Sequence, residues 1–417
     1  MKSWKNGGSM VLGWLERYTK TDMVYLAHGS FWLGIGQVVS SGAVFLTSIA
    51  FANLLAPDVF GFYKYILSIA SLLSITTLSG MDSAVAQSVA RGFEGTLVPG
   101  VMTKMKWGVL GTGLSLLVAI YYYTQGNFTL SIAFCTVGLF MPFAESFDMY
   151  NSFLVGKRLF QIQTYYNMVK KIIALVAIVG TLFLTHNLYI ILFVYFISIV
   201  IPNLFLYYRT IKLHQKNNEV DPMAIGYGKH LSAIYIIGTV LEQIDKVLVF
   251  HYVGAADLAV YALAVAPTDQ IKGLLKNLNS LAFPQFAKRT SDEIRKTIWR
   301  KLFILSVVVT LLVLLYIILA PYLFALFFPK YLASVHYSQI LSISLVPVIA
   351  AGFIETILGS KKATKELYKY NLYSNLINTI ILFPLVYYYG IWGAVISRMT
   401  TRFFIMGLGS ILLKKIS

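Results

Sequence analysis

From Leu302 to Leu319 the chain carries no charged side chain, and only Ser306, Thr310 and Tyr316 interrupt an otherwise apolar run. A helix crosses ~30 Å of hydrocarbon with about 20 such residues, so a run of this kind belongs in a membrane rather than on a soluble domain. Similar runs recur near 29–53, 62–82, 104–123, 128–152, 162–185 and 188–208, and again near 231–253, 258–283, 302–327, 336–358, 370–388 and 391–413. They are too continuous for a membrane barrel, whose strands alternate in polarity over about ten residues. With 58% of residues apolar and 12% charged, the composition excludes a string of soluble domains, and most enzyme classes with them. The sequence therefore predicts an all-α polytopic membrane protein with about 12 transmembrane helices.

Charge distribution then gives the orientation. Lys and Arg outnumber Asp and Glu by 34 to 17, a net +17 that on a soluble chain suggests nucleic acid. Here the excess gathers in alternate loops: Lys2, Lys5, Arg17 and Lys20, then Arg91, Lys104 and Lys106, then Lys157 and Arg158, then Arg209, Lys212 and Lys216. Lys288, Arg289, Arg295, Lys296, Lys361, Lys362, Lys414 and Lys415 continue the series, whereas the opposite loops offer little besides Lys64 and Lys330. The positive-inside rule puts both termini in the cytoplasm and leaves no need for a nucleic-acid partner. Cys135, the single cysteine, lies inside an apolar run, so no intrachain disulfide and no paired-cysteine metal or redox site can form.

Residues 1–28 precede the first run, which is too long for a signal-peptide core and is expected to be retained. Within them Val11, Trp14, Leu15 and Tyr18 have the spacing of an amphipathic surface helix, with a plain tail as the alternative. Six runs over 29–208 form one half, and six over 230–417 form the other. The polar stretch 209–229, containing LHQKNNEVDP, is the one linker-like composition between them. FANLLAPDVFGFY from Phe51 echoes FHYVGAADLAVYA from Phe250, with Asp58 and Asp257 in register, and Tyr166-Asn167 echoes Tyr370-Asn371. An even number of spans per half makes such repeats parallel, as two six-helix lobes around a central cavity.

An ionisable group within a span costs about 2.5–3.5 kcal/mol on insertion scales unless it finds water or a partner, so these few residues carry the functional reading. Glu242 and Lys246 share a helical face, which suits an intrahelical ion pair, beside Asp245. Asp269, Lys272 and Lys276 form a stripe in which one acid faces two bases, and Arg398 and Arg402 stand four apart in a span with no acid. Lys272, Lys276, Arg398 and Arg402 are therefore the candidates for binding an anionic substrate. Glu145 and Asp148 sit one turn apart after Pro142, which breaks the helix and frees carbonyls for a cation. With Asp245 they are the candidates for coupling to a proton or sodium gradient. No phosphate loop of the GxxxxGK[ST] type occurs, and the six histidines lack ligand spacing, so no catalytic residue, metal or other cofactor is expected.

The stretch Leu55 to Gly80, LAPDVFGFYKYILSIASLLSITTLSG, resembles the LGPEEFGLYALALSI region of bacterial polysaccharide flippases, with Pro57, Phe60, Gly61, Tyr63 and Gly80 in the expected places. These belong to the multidrug/oligosaccharidyl-lipid/polysaccharide exporter superfamily. Gln243 and Asp245 before Tyr261, the Gly156-Lys157 loop, and Gly390-Ile-Trp-Gly393-Ala394 extend the resemblance over nearly the whole chain, although Val260 stands where a glycine is usual. The resemblance implies alternating access in the bacterial cytoplasmic membrane, with an undecaprenyl-diphosphate-linked oligosaccharide of the O-antigen or capsule type as cargo. It also implies a monomer working beside polysaccharide-assembly proteins. Two other readings stand beside it. One is a multidrug or cation exporter of the same superfamily, which is expected to present an acidic cavity. The other is a membrane-embedded glycan polymerase or ligase, which the short external loops disfavour.

The loop charges generate a direct test of topology. Reporter fusions after Asn127 and Asn217 are expected to report periplasm and cytoplasm respectively, and the same side for both would refute the span count between them.

Overall fold

A computed structural model describes residues 23–288, 291–360 and 364–414; the side chains of 23–31, 33, 274–299, 301, 359–360, 364–365, 367–368 and 414 lie outside that description, as does the amphipathic segment expected around Trp14. The first half consists of α1 (Met23–Leu54), α2 (Pro57–Leu73), α3 (Gly80–Ala90), α4 (Leu97–Thr124), α5 (Phe128–Ala144), α6 (Tyr150–Gly156), α7 (Phe160–Leu184) and α8 (Leu188–His214). The second consists of α9 (Ala224–Tyr252), α10 (Ala255–Lys288), α11 (Ser291–Phe327), α12 (Ser334–Ile343), α13 (Leu345–Ser360) and α14 (Thr364–Lys414). Among the described residues nine segments are long and apolar enough to cross a membrane. The last of them bends at Gly390, whose φ of 56° with ψ of −128° only glycine adopts without strain, and so makes two crossings. The more highly charged α9 and α10 complete the twelve.

Local chemistry explains the boundaries. Pro57 occupies the first turn of α2 after the extended Ala56, so this span starts earlier than its apolar run. Leu78, at φ 61°, ends the turn that follows α2, and α3 departs as a separate helix at Gly80. Asn127 and Asn187 cap α5 and α8 by accepting from the backbone N–H of Leu130 and Tyr189, at 3.1 and 2.9 Å. The fourth crossing is interrupted after Pro142, but its freed carbonyls are not left for a cation. Thr112 Oγ1 donates to the Gly138 carbonyl at 2.7 Å, and Asn203 Nδ2 to that of Ala144 at 3.0 Å. Cys135 is exposed on α5.

Helix–helix contact in lipid depends on close approach, and small residues supply it. Gly108, Gly111 and Ser115 of α4 lie against α5, with Ser115 Oγ donating to the Phe134 carbonyl at 2.7 Å. Between the lobes the same device recurs. At Gly61 of α2 an added Cβ would stand 1.8 Å from the Ala255 carbonyl oxygen, and at Gly80 it would stand 2.3 Å from the Ser232 backbone nitrogen. The echoed segments thus occupy equivalent places, each turning from the end of one helix into the next, and they meet across the seam.

The two ends of the molecule are built differently. At the end away from the basic loops one apolar core is common to both lobes. It contains Phe51, Phe60, Tyr65 and Phe134 from the first, and Val249, Tyr261, Phe328 and Tyr331 from the second. Tyr65 stacks on Phe250 at 3.7 Å, Asn53 Nδ2 donates to the Phe327 carbonyl at 2.8 Å, and Lys330 Nζ donates to that of Asn53 at 2.7 Å. At the basic-loop end each lobe has a core of its own, one around Met81, Leu97 and Tyr150, the other around Ile354, Tyr370 and Leu412. There the lobes touch where α3 lies on α9, and through the linker, whose non-helical part is 215–223 rather than the whole of 209–229.

Asp221 anchors that linker, bonding to the Ser88 hydroxyl at 2.8 Å and pairing with Arg91, while Glu94 pairs with Lys157. The Ser88 hydroxyl first, then the Met223 backbone N–H and Arg91, hold the Asp221 carboxyl below the usual carboxylate range. Its folded-state pKa is lowered, so its contribution is fully present at neutral pH and is lost as the pH falls below the unfolded carboxylate range and through that lowered value.

The seam at Gly61 gives a stability prediction. Gly61→Ala is expected to cost about 1–3 kcal/mol in denaturant unfolding of the purified protein, because the obstacle is backbone that cannot swing aside. Gly113→Ala, where nothing lies within 4 Å, serves as the neutral control. Equal midpoints for the two variants would contradict contact between the lobes at Gly61.

Candidate functional site

Three helices of the second lobe bring its intramembrane charges together. Asp245 of α9 is 2% exposed; its Oδ2 accepts from Tyr261 Oη at 2.6 Å and Arg398 Nε at 2.7 Å and lies 2.6 Å from Arg398 Nη2 in an ion pair, while its Oδ1 accepts from the Lys246 backbone N–H at 2.8 Å. The guanidinium also lies over the Tyr261 ring, 5.7 Å from its centroid, and Nη1 reaches Asp269 at 3.5 Å. An acid expected to couple an ion and a base expected to bind substrate are thus one buried ion pair. Neither residue's neighbours in sequence announce it, since 153 positions separate them.

Arg402 follows one turn later, twelve residues or about 18 Å beyond the bend at Gly390, close to the middle of the hydrocarbon. Its Nη1 donates to the Ser344 hydroxyl at the junction of α12 and α13, and among the described residues it forms no ion pair. Lys272 is exposed, with Glu242, Arg402, Asp269 and Arg398 as its charged neighbours. Lys276 lies one turn further along α10, with its side chain outside the described residues. The expected pair between Glu242 and Lys246 does not form: Lys246 Nζ donates to Gln243 Oε1 at 2.9 Å.

These positions correct one premise of the sequence reading. Acids are not scarce around the basic stripe, because Glu242, Asp245 and Asp269 come from two helices to meet Lys272, Arg398 and Arg402. Counter-charges arrive by tertiary packing, and a single-helix projection omits them.

The first lobe has its own cluster. Lys104, 1% exposed, donates to both oxygens of Asp82 at 3.1 and 3.0 Å, so it is a buried partner rather than a loop residue. Asp148 pairs with Lys170 and accepts from Asn151 at 3.0 Å. Glu145 is exposed and forms no hydrogen bond or ion pair among the described residues, while Lys104, Asp148, Asp82 and Lys170 surround it. Of the three acids expected to take up an ion, Glu145 alone keeps its carboxylate unengaged. Among the described residues no group of three or more His, Cys, Asp or Glu could hold a metal ion.

Comparisons with known proteins bear on this arrangement. The sequence profile of a family described as "Polysaccharide biosynthesis protein" matches residues 26–290, more than half of the chain. No curated protein matches the sequence. Among solved structures, a MOP superfamily transporter from Pyrococcus furiosus, described as having a binding pocket of reverse polarity, aligns with a TM-score of 0.62 at 14% identity, over 94% of this chain and 95% of that one. An inward-facing multidrug resistance transporter of the MATE family aligns at 0.61 and 10% identity, over 91% and 95%. The lipid II flippase MurJ in an inward closed conformation aligns at 0.56 and 15% identity, over 93% and 87%. At such identities the likeness is one of fold: two lobes of six helices.

A double-mutant cycle tests the buried pair. Asp245→Asn leaves Arg398 without its carboxylate and is expected to destabilise the purified protein by about 3–5 kcal/mol. Combining it with Arg398→Gln is expected to cost less than the sum by at least about 1 kcal/mol in denaturant unfolding. Strict additivity would contradict the pairing.

Proposed function

Because the chain belongs to the polysaccharide biosynthesis protein family, we propose that it carries an undecaprenyl-diphosphate-linked oligosaccharide from the inner to the outer leaflet of a bacterial cytoplasmic membrane by alternating access. The observation that carries this reading is the pair Lys272 and Arg402, basic groups without an ion-pair partner of their own, in a lobe whose core is separate from the other at the basic-loop end. With both termini cytoplasmic, as the loop charges imply, that end faces the leaflet on which lipid-linked sugars are assembled.

The physical service is solvation. Moving a sugar diphosphate through hydrocarbon strips its charges of water at a Born cost on the order of tens of kcal/mol, which a basic, hydrated path avoids. Lys272 and Arg402 hold the diphosphate, and Lys276, one turn on, adds a third positive charge. Arg398 acts differently from the sequence expectation: Asp245 and Asp269 neutralise it, and it orients α14 so that Arg402 meets the cargo. Energy comes from a proton or sodium gradient through Glu145, the unengaged acid, with Asp148 and Asp245 tuning the charge around each lobe. The protein transports and makes no covalent intermediate.

Reconstitution in proteoliposomes tests both parts. Lys272→Gln and Arg402→Gln are expected to abolish movement of the lipid-linked oligosaccharide while Lys272→Arg keeps most of it, at unchanged insertion. Glu145→Gln is expected to leave exchange intact and to remove accumulation driven by an imposed gradient. Normal transport by the double Gln variant would overturn the substrate site, and accumulation by Glu145→Gln would overturn the coupling. Transport of organic cations instead of the lipid-linked sugar would favour a multidrug exporter, and chain extension of the sugar a polymerase.

A further inference from the structure

The bases left without acids by the pairing of Asp245 with Arg398 include two that face each other across the lobes. α2 and α9 run antiparallel along the seam, where Tyr65 stacks on Phe250 at 3.7 Å and Phe62 meets the same ring edge-on at 5.7 Å. Lys246 lies one turn before Phe250 on the same face of α9, and Lys64 lies one turn after Phe60 and Gly61, the glycine of α2 that meets Ala255 of the other lobe. Each helix thus directs an ammonium group into the seam, and Lys246 is the charged neighbour of Lys64.

Neither forms an ion pair among the described residues. Lys246 Nζ rests on Gln243 Oε1 at 2.9 Å, and Lys64 Nζ stands over the Phe60 ring, 5.2 Å from its centroid. Phe60 is fully buried and packs edge-on against Tyr331 at 6.1 Å, so the half-buried lysine it carries lies against the apolar seal. The acid nearest in sequence, Asp245, is already engaged by Arg398 and Tyr261. Asp245 also acts on Lys246 through space, but its ion pair is with Arg398, so two like charges from different lobes share one engaged acid, an arrangement that a visiting anion relieves.

We propose that Lys64 and Lys246, with the Gln243 amide beside them, form a second anion site that takes a diphosphate between the lobes. Its depth gives it a place on the path. Lys64 is seven residues from the start of α2 and Lys246 six from the end of α9, about 10 Å below the sealed end, whereas Lys272 is seventeen residues from the start of α10, about 26 Å below it. An anion handed from Lys272 and Arg402 reaches this pair last. One lysine comes from each lobe, so the site is whole only while the seal is closed; separating the lobes splits it and releases what it held. Identifying the visiting diphosphate as the head of a lipid-linked sugar rests on the reading under Proposed function.

The test uses the full-length protein in detergent, with labelled inorganic pyrophosphate as probe in equilibrium dialysis. Lys272→Gln/Arg402→Gln is expected to retain pyrophosphate binding, which then reports the second site alone. Adding Lys64→Gln/Lys246→Gln is expected to weaken it at least about tenfold, while Lys64→Arg/Lys246→Arg stays within about threefold, since charge rather than shape is recognised. Monodispersity and helical circular dichroism identify variants that fail to fold, and the Arg pair supplies the reading if the Gln pair does. Absence of binding in the Lys272→Gln/Arg402→Gln protein, no weakening by the Gln pair, or equal weakening by the Arg pair would overturn the site. A parallel arm asks whether wild-type protein in vesicles moves a polyprenyl diphosphate. Movement without the Lys64–Lys246 site upholds the flippase and overturns the site; the site without movement does the reverse.

Discussion

The apolar seal between the lobes is the contact on which the remaining architecture depends. Phe51, Phe60, Tyr65, Phe250, Phe328 and Tyr331 make one continuous core from two six-helix bundles at a single end, and Gly61 lets the backbones of α2 and α10 approach closely enough to complete it. Stacked and edge-on rings add stability beyond their buried area, by about 0.5–1.5 kcal/mol per pair. The seal is made mainly of rings, and the charges nearest to it, Lys64 over Phe60 and Asp245 bonded to Tyr261, lie against its inner edge. Because each lobe keeps a separate core at the other end, the molecule has a closed side and a side at which its halves are joined mainly through α3, α9 and the linker.

Charges beneath a seal of this kind must pair or face water, and several of them pair. Asp245 and Arg398, with Tyr261 as third partner, are fully satisfied and hold α9, α10 and α14 in register. Lys104 and Asp82 do the same for α4 and α3 in the first lobe. Lys272, Arg402 and Glu145 are different, for each carries charge without an ion pair of its own among the described residues. Removing one partner from a buried pair and removing one of these unpaired groups therefore have different consequences: the first unbalances the fold, and the second changes what the interior attracts.

Pro142 illustrates how a local signal and its tertiary answer diverge. A proline inside a span frees carbonyls, and by itself that suggests cation coordination. Thr112 from α4 and Asn203 from α8 occupy those carbonyls, so the break instead serves to turn the fourth crossing and to present Glu145 and Asp148 toward Lys104 and Lys170.

The sequence by itself determined the solvent in which this chain folds and the number of times it crosses it. Runs such as Leu302 to Leu319 need hydrocarbon, the alternation of Lys and Arg between loops carries the expected direction, and the echo of Phe51–Tyr63 in Phe250–Ala262 carries the expectation of two related halves. These are properties of composition and spacing along one helix, and they survive without any knowledge of neighbours. Partnership between charges is not of that kind. Asp245 and Arg398 are brought within 2.6 Å from opposite ends of a lobe, Lys104 disappears from its apparent loop into a bond with Asp82, and Lys246 turns from Glu242 toward Gln243 and the other lobe. Whether a buried charge is spent on structure or kept for a ligand depends on which helices lie against it, and only the tertiary structure decides that, because electrostatic pairing acts through space over a few ångströms and leaves no periodic trace in the chain.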